Sequence, residues 1–173
     1  MSNTSFMVMS WLLALHHRLA GVTNRLHRAG IEEGQTVLDF GCGPGHYAAE
    51  AARMVGEKGM VYALDIHPLA IKAVRGKALK GGLNNISTIL SDRDTGLADE
   101  TIDVVLLYDT IHAIGDKQAL LSELHRVMKP RGVLSVWVEH TKVEDVVDTI
   151  QREGLFSLKD RDARLLNFEK RAA

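Results

Sequence analysis

One cysteine, Cys42, stands among the 173 residues. It excludes an internal disulfide and fits a reducing, cytoplasmic compartment. Without Cys pairs, and with the eight histidines scattered, no structural zinc or other metal site is expected. No stretch approaches the ~20 apolar residues that would cross a bilayer. Phe6 to Leu15 is apolar enough for a signal-peptide core, but no basic segment precedes it and no small-residue cleavage site follows. An excess of one charge is also missing: Lys and Arg total 21 against 22 Asp and Glu, and the basic residues form no long patch, so no nucleic-acid partner is expected. No internal repeat, low-complexity run or linker interrupts the chain. What remains is a soluble globular sequence of single-domain length with enough apolar residues for a core.

The chain is organised around Val37-Leu38-Asp39-Phe40-Gly41-Cys42-Gly43-Pro44-Gly45. A short apolar run ends in an acid, and three glycines at alternate positions lead into an alanine-rich segment. That pattern is a buried parallel strand, a tight turn and a helix start. A Cβ at Gly41, Gly43 or Gly45 would hold a ligand off the backbone or block a positive φ. Free N–H groups at the helix start favour an anionic or polar ligand group. A dinucleotide fingerprint wants its third glycine at position 46, which is histidine here. The spacing therefore argues against a nicotinamide dehydrogenase. Asp65 ends the next apolar run, Met60 to Asp65, where a carboxylate can accept both hydroxyls of a ribose; its bland alternative is a surface acid ahead of a Pro-started helix. Cys42, inside the turn, reads as a small buried filler rather than a reactive thiol.

Strand and helix patterns alternate through the chain. Leu12, Leu15, Leu19, Val22 and Leu26 form one stripe of an N-terminal amphipathic helix, with His16, His17, Arg18, Arg25, His27 and Arg28 off it and Gly30 as its stop. This divides the chain into residues 1–30, a helix that docks over a cofactor mouth as a lid or lies on a membrane surface or protein partner, and residues 31–173, the domain proper. Strands are expected at Val37 to Phe40, Met60 to Asp65, Ile86 to Leu90, Ile102 to Tyr108 and Val133 to Val138, with a closing pair at Phe156 to Leu158 and Leu165 to Phe168. Helices follow Gly45, start at Pro68, are capped by Asp116 and stopped by Pro130 and Gly132, and start at a Thr141/Glu144 capping box. The class is α/β with a mostly parallel, doubly wound sheet, and ligands belong at the strands' C-terminal edge.

The glycine turn, Asp65 and the later strand ends together resemble the class I S-adenosylmethionine-dependent methyltransferases, over roughly residues 35 to 170. The resemblance implies a seven-stranded Rossmann-like sheet with an antiparallel last strand, and S-adenosylmethionine as cofactor. It implies that Gly41, Cys42, Gly43 and Gly45 approach the cofactor, and that Asp39 holds its amino-acid part; otherwise Asp39 is a capping acid of the turn. Asp65 would take the ribose, with Ile66 against the adenine face and Asp92 accepting from the adenine amine. Arg93 beside it is a further candidate cofactor contact, and with Asp94 it leaves that last register open by one or two residues. In Leu107-Tyr108-Asp109-Thr110-Ile111-His112 the last strand carbonyls, Leu107 among them, would meet the methionine ammonium, with Tyr108, Asp109 and His112 facing the methyl group.

Methyl transfer from a sulfonium is an in-line displacement with a neutral leaving group, so position and exclusion of water matter most. A base is needed only if the acceptor must lose a proton; His112 is one candidate, and a packing or capping histidine is the other reading of it. His46, Tyr47, Glu139 and His140 are further candidates to line an acceptor pocket. The chain lacks an Asn-Pro-Pro-Tyr-like run after the fourth strand and the several cysteines of the arsenite-methylating branch. It also lacks an inserted substrate domain. Leu124 to Leu134 is similar to the small-molecule and quinone-type branch. The expected function is methyl transfer to a small molecule. Protein methylation and a catalytically silent cofactor-binding module are the alternatives.

Overall fold

The computed structural model describes residues 21–171. Helix α1 (Val22–Arg28) precedes β1 (Thr36–Phe40), α2 (His46–Val55), β2 (Met60–Asp65), α3 (Pro68–Gly81), β3 (Ile86–Leu90) and β4 (Ile102–Tyr108). A 3-10 turn (Ile111–Ala113) leads to α4 (Lys117–Val127), β5 (Met128–Trp137), α5 (Val143–Gln151), β6 (Phe156–Asp162) and β7 (Leu165–Lys170). The sheet has seven strands in the order β3-β2-β1-β4-β5-β7-β6, parallel except for β7, which pairs antiparallel with both β5 and β6.

Alternation along the strands sends side chains to two apolar layers. Val37, Val61, Val104 and Leu106 meet α1, α2 and α3. Leu38, Val105, Leu107 and Leu134 meet Leu120, Leu121 and Leu124 of α4 and Val146 and Ile150 of α5. The alanines of α2 are the fitted part: Ala48, Ala51 and Ala52 are buried, and their small size brings the helix axis close to the sheet. Because the crossovers leave β1 on one face and β4 on the other, the strand order reverses between these two. The crevice lies above their C-terminal ends.

Some local expectations are corrected. The Thr141/Glu144 capping box does not form: α5 starts at Val143 behind Lys142, with no side-chain cap. Pro130 and Gly132 do not stop α4, which ends at Val127; the chain passes straight into β5 at Met128. The irregularity falls between the pairs Ile102↔Met128 and Val104↔Val133, where Lys129 reaches Asp103 at 2.8 Å. β6 runs on to Asp162, so the charged turn shrinks to Ala163 and Arg164. Val22 begins α1 behind Gly21, which is left-handed at φ 68, so Val22 and Leu26 are the part of the stripe seen on α1. Leu12, Leu15 and Leu19, with the lid or docking role given to them, lie outside the described residues. Gly30 does end α1, with the Ile31 N–H on the Leu26 carbonyl at 3.2 Å.

Two glycines should respond oppositely to alanine. A Cβ at Gly59 would come within 2.4 Å of Val55 Cβ and 2.6 Å of the Gln35 carbonyl oxygen, whereas one at Gly76, inside α3, meets nothing within 4 Å. Gly59→Ala is expected to destabilise by about 1–3 kcal/mol, and Gly76→Ala to stabilise by about 0.5–1 kcal/mol. Urea unfolding of the two variants checks both signs.

Candidate active site

The turn after β1 is tied to β2 by its backbone. The N–H groups of Gly41 and Cys42 both donate to the Leu64 carbonyl, at 2.8 and 2.9 Å. The three glycines then divide their work. Gly41 and Gly45 have φ 77 and 75, and a Cβ would strike Thr110 Oγ1 at 2.5 Å and Val74 Cγ2 at 2.6 Å respectively. They allow close packing of the chain on itself. Around Gly43 a Cβ would meet nothing within 4 Å, so this glycine is the one that leaves open space above the turn. Cys42 is buried, and burial pushes its thiol well above the usual range, as a filler requires.

Two carboxylates flank that space. Asp39 is 2% exposed, and its Oδ2 has no hydrogen-bond partner. Burial pushes its pKa up to about 7; the Ala48 N–H on the carboxylate opposes this, and the nearby Asp65 charge adds to it. Asp65 is oriented by backbone: Oδ2 accepts from Gly43 N–H at 2.9 Å and Oδ1 from His67 N–H at 2.8 Å. Each oxygen keeps accepting capacity for a second donor. Ile66 beside it is 68% exposed, and Leu90, its strand neighbour's partner, is 57% exposed. Large apolar side chains left in water at a strand end suit a planar ring. Asp92 is exposed after β3, while Arg93 turns toward Asp116, the N-cap of α4, at 3.6 Å.

The far side of the crevice is built by β4 and β5. Leu107 is fully buried under α4 and α5, so only its backbone can face a ligand. Tyr108 does not face the mouth as expected. It is 7% exposed, its hydroxyl lies 3.1 Å from Ser135 Oγ, and its ring stands edge-on to Tyr47 at 4.7 Å. Burial raises its pKa further, which removes it as a base. Asp109, the first residue past β4, has φ 52, a left-handed conformation that costs a non-glycine residue roughly 1–3 kcal/mol. Its carboxylate lies 3.1 Å from His140 Nε2 and 3.6 Å from His112 Nδ1. Burial raises its pKa, and the two histidines oppose that rise. Tyr47 is buried, and burial beside Lys77 lowers the His46 pKa to about 4, so His46 is neutral at pH 7.

Arg25 was missed as a site residue because it lies off the apolar stripe. It is 8% exposed, donates to the Tyr47 hydroxyl at 2.5 Å, and stacks 3.9 Å over Trp137. Its position, one turn after Val22, was the available signal. No group of three or more His, Cys, Asp or Glu suited to a metal occurs among the described residues. None of their helices is long and apolar enough to cross a membrane.

Taken together, an orphaned buried carboxylate, an open glycine, an oriented acid and two exposed apolar side chains fit a ligand with an ammonium, a ribose and a flat ring. The comparisons agree. A family model described as a methyltransferase domain matches residues 31–160. The ubiquinone/menaquinone biosynthesis C-methyltransferase UbiE of Haemophilus ducreyi is 34% identical over 110 residues, covering 62% of this chain and 42% of that protein. Its namesake from Klebsiella pneumoniae is 34% identical over 110 residues, covering 62% and 44%. The chain thus spans less than half the length of these curated relatives. A SAM-dependent methyltransferase from Aquifex aeolicus superposes with TM-score 0.76 at 29% identity, over 86% of this chain and 88% of that one. The [4+2]-cyclase SpnF, at TM-score 0.69 and 19% identity over 80% and 58%, shares the fold.

Asp39 sets a pH dependence. Its pKa rises from 3.8 to about 7 on folding, so its contribution to stability is fully present below pH 4 and is lost as pH rises through 7. Asp39→Asn should therefore gain stability relative to wild type between pH 5 and 8, by a few kcal/mol at most. Binding of a cationic ligand by wild type should strengthen over the same range as the carboxylate ionises. Urea unfolding and calorimetric titration at pH 5, 6.5 and 8 check both; a stability difference flat in pH would contradict the assignment.

Proposed function

The chain belongs to the class I S-adenosylmethionine-dependent methyltransferases, and from that premise we propose that it methylates a small-molecule acceptor. The observation that carries this is the shortness of the described segments that border the strand ends. Among the described residues, β4 and α4 are joined by a segment holding only one 3-10 turn, and β5 and α5 by residues 138–142. These segments enclose little surface for a macromolecular substrate. The small-molecule chemistry in the names of the quinone-biosynthesis relatives supports the same reading.

The bound cofactor supplies a methyl group on a sulfonium, already activated for displacement. Asp39 is the residue to neutralise an ammonium, because its Oδ2 is buried without a donor. Asp65 would accept the ribose hydroxyls, and Ile66 with Leu90 would cover the ring. Gly43 lets the ligand approach the backbone where any side chain would stand in its way. Asp109 and His112 border the acceptor side after β4, one strand along the sheet from β1, and His140 borders it after β5, two strands along. Position and exclusion of water then supply most of the rate.

Calorimetric titration with S-adenosylmethionine should show wild type binding about 10- to 100-fold tighter than Asp65→Ala, a loss of about 1.4–2.8 kcal/mol. Equal affinities would remove Asp65 from the site, and tighter binding of a nicotinamide dinucleotide would point to a dehydrogenase. Incubation of the protein and methyl-labelled cofactor with a small-molecule extract and, separately, a protein extract should place the label in the former. Label only in proteins would establish a protein methyltransferase, and label in neither a silent binding module.

A further inference from the structure

The charges of α3 are all of one sign. Between Asp65 and Asp92 there is no acid, yet Lys72, Arg75, Lys77 and Lys80 all fall there, in a chain of net charge −1. Ala70, Ile71 and Val74 are the buried side of the helix. Lys72, Arg75 and Leu79, at steps of three and four, line the opposite side, and Lys80 is exposed beside them. Gly76 opens on the same side, since a Cβ there would meet nothing within 4 Å. Leu79 is 85% exposed, more than any other large apolar side chain among the described residues. It lies in the last turn of α3, roughly 16 Å along the helix from Pro68 and so away from the strand-end crevice.

Among the described residues no carboxylate pairs with Lys72, Arg75, Lys77 or Lys80, whereas Arg28, Arg126 and Lys129 each have one. Arg75 instead donates from Nε to Thr88 Oγ1 at 2.9 Å, which holds its guanidinium along the edge of β3. Burial lowers the Lys77 pKa, and the like charges of Arg53 and Lys80 lower it further, so cations crowd this side of the molecule. The helix dipole accounts for Lys80 in the last turn but not for Lys72 and Arg75. Like charges three residues apart cost a helix a little stability, and one acid would relieve them. A helix face kept positive at that cost, with a leucine among the cations, fits a surface that is anionic outside and apolar beneath. Nucleic acid would engage the cations and leave Leu79 in water. A protein partner needs about 800 Å² of matched surface with aromatic anchors, and α3 has no aromatic residue. We propose that the outer face of α3 docks the protein on an anionic lipid bilayer, with Lys72, Arg75 and Lys80 at the phosphates and Leu79 in the headgroup layer. The docking is independent of which acceptor is methylated.

The test uses the full chain and sedimentation with vesicles of phosphatidylcholine alone or mixed with phosphatidylglycerol. Wild type should bind the mixed vesicles about 100-fold better than the neutral ones, at about fivefold for each of the three cations, and should lose that preference in high salt. Lys72→Gln, Arg75→Gln and Lys80→Gln together should abolish the preference, and Leu79→Ser should weaken binding about tenfold. As a control, Lys58→Gln with Arg131→Gln and Arg152→Gln removes the same charge from exposed positions off α3 and should bind as wild type does. Circular dichroism verifies that each variant is folded. Because Cys42 is buried, a polarity-sensitive dye attaches to the Leu79→Cys variant at that one position, and its emission should shift to shorter wavelength on the mixed vesicles. A wild type that binds no vesicles, wild-type binding by the α3 variants, an equal loss in the control or an unshifted dye would each overturn the proposal. Salt-sensitive binding of duplex DNA without vesicle binding would replace it with a nucleic-acid surface.

Discussion

Two N–H groups, those of Gly41 and Cys42, converge on the single carbonyl of Leu64, and the site depends on that convergence. It pins the end of β1 against the end of β2, and so brings Gly43 N–H onto Asp65. The acid is thereby oriented by backbone alone, with no side chain that would compete with a ligand for its oxygens. Gly41 sits so close to Thr110 that any side chain there would part β1 from β4. One turn therefore fixes the spacing of three strand ends.

Acids gather on those ends. Asp39 on β1, Asp65 on β2 and Asp109 after β4 lie on three adjacent strands of a chain whose net charge is only −1. The rim is much more acidic than the protein as a whole, which favours a ligand carrying positive charge. The sulfonium and ammonium of the cofactor meet that condition. The like charges also explain why Asp65 helps raise the Asp39 pKa.

The first four strands could be read from the sequence because each is a short apolar run bounded by turn residues. The acids at their ends are then placed by counting. Tyr108 misled because it ends a strand; its parity with Val104 and Leu106 puts it in the layer under α2, not in the mouth. Arg25 misled because a charged side chain on a helix is ordinarily solvated, yet Tyr47 and Trp137 together sequester its guanidinium. Thr141 and Glu144 have the spacing of a capping box, but a helix start one residue later leaves the motif unused. The Asp109–His140 contact follows from β-register between distant segments, and no local pattern encodes it.

The position of β7 governs how the molecule can be made. It is synthesised after β6 yet lies between β5 and β6, pairing with each. On the ribosome, β1 to β5 can assemble in turn as they emerge, but β6 then has no neighbour to join. The outer edge of β5, Met128–Trp137, stays open until residues 165–170 have cleared the exit tunnel. During that interval a nascent chain presents an unpaired apolar strand, the kind of edge to which another chain or a chaperone adheres. Completion of the sheet is an insertion, and its timing is set by the emergence of β7 after β6.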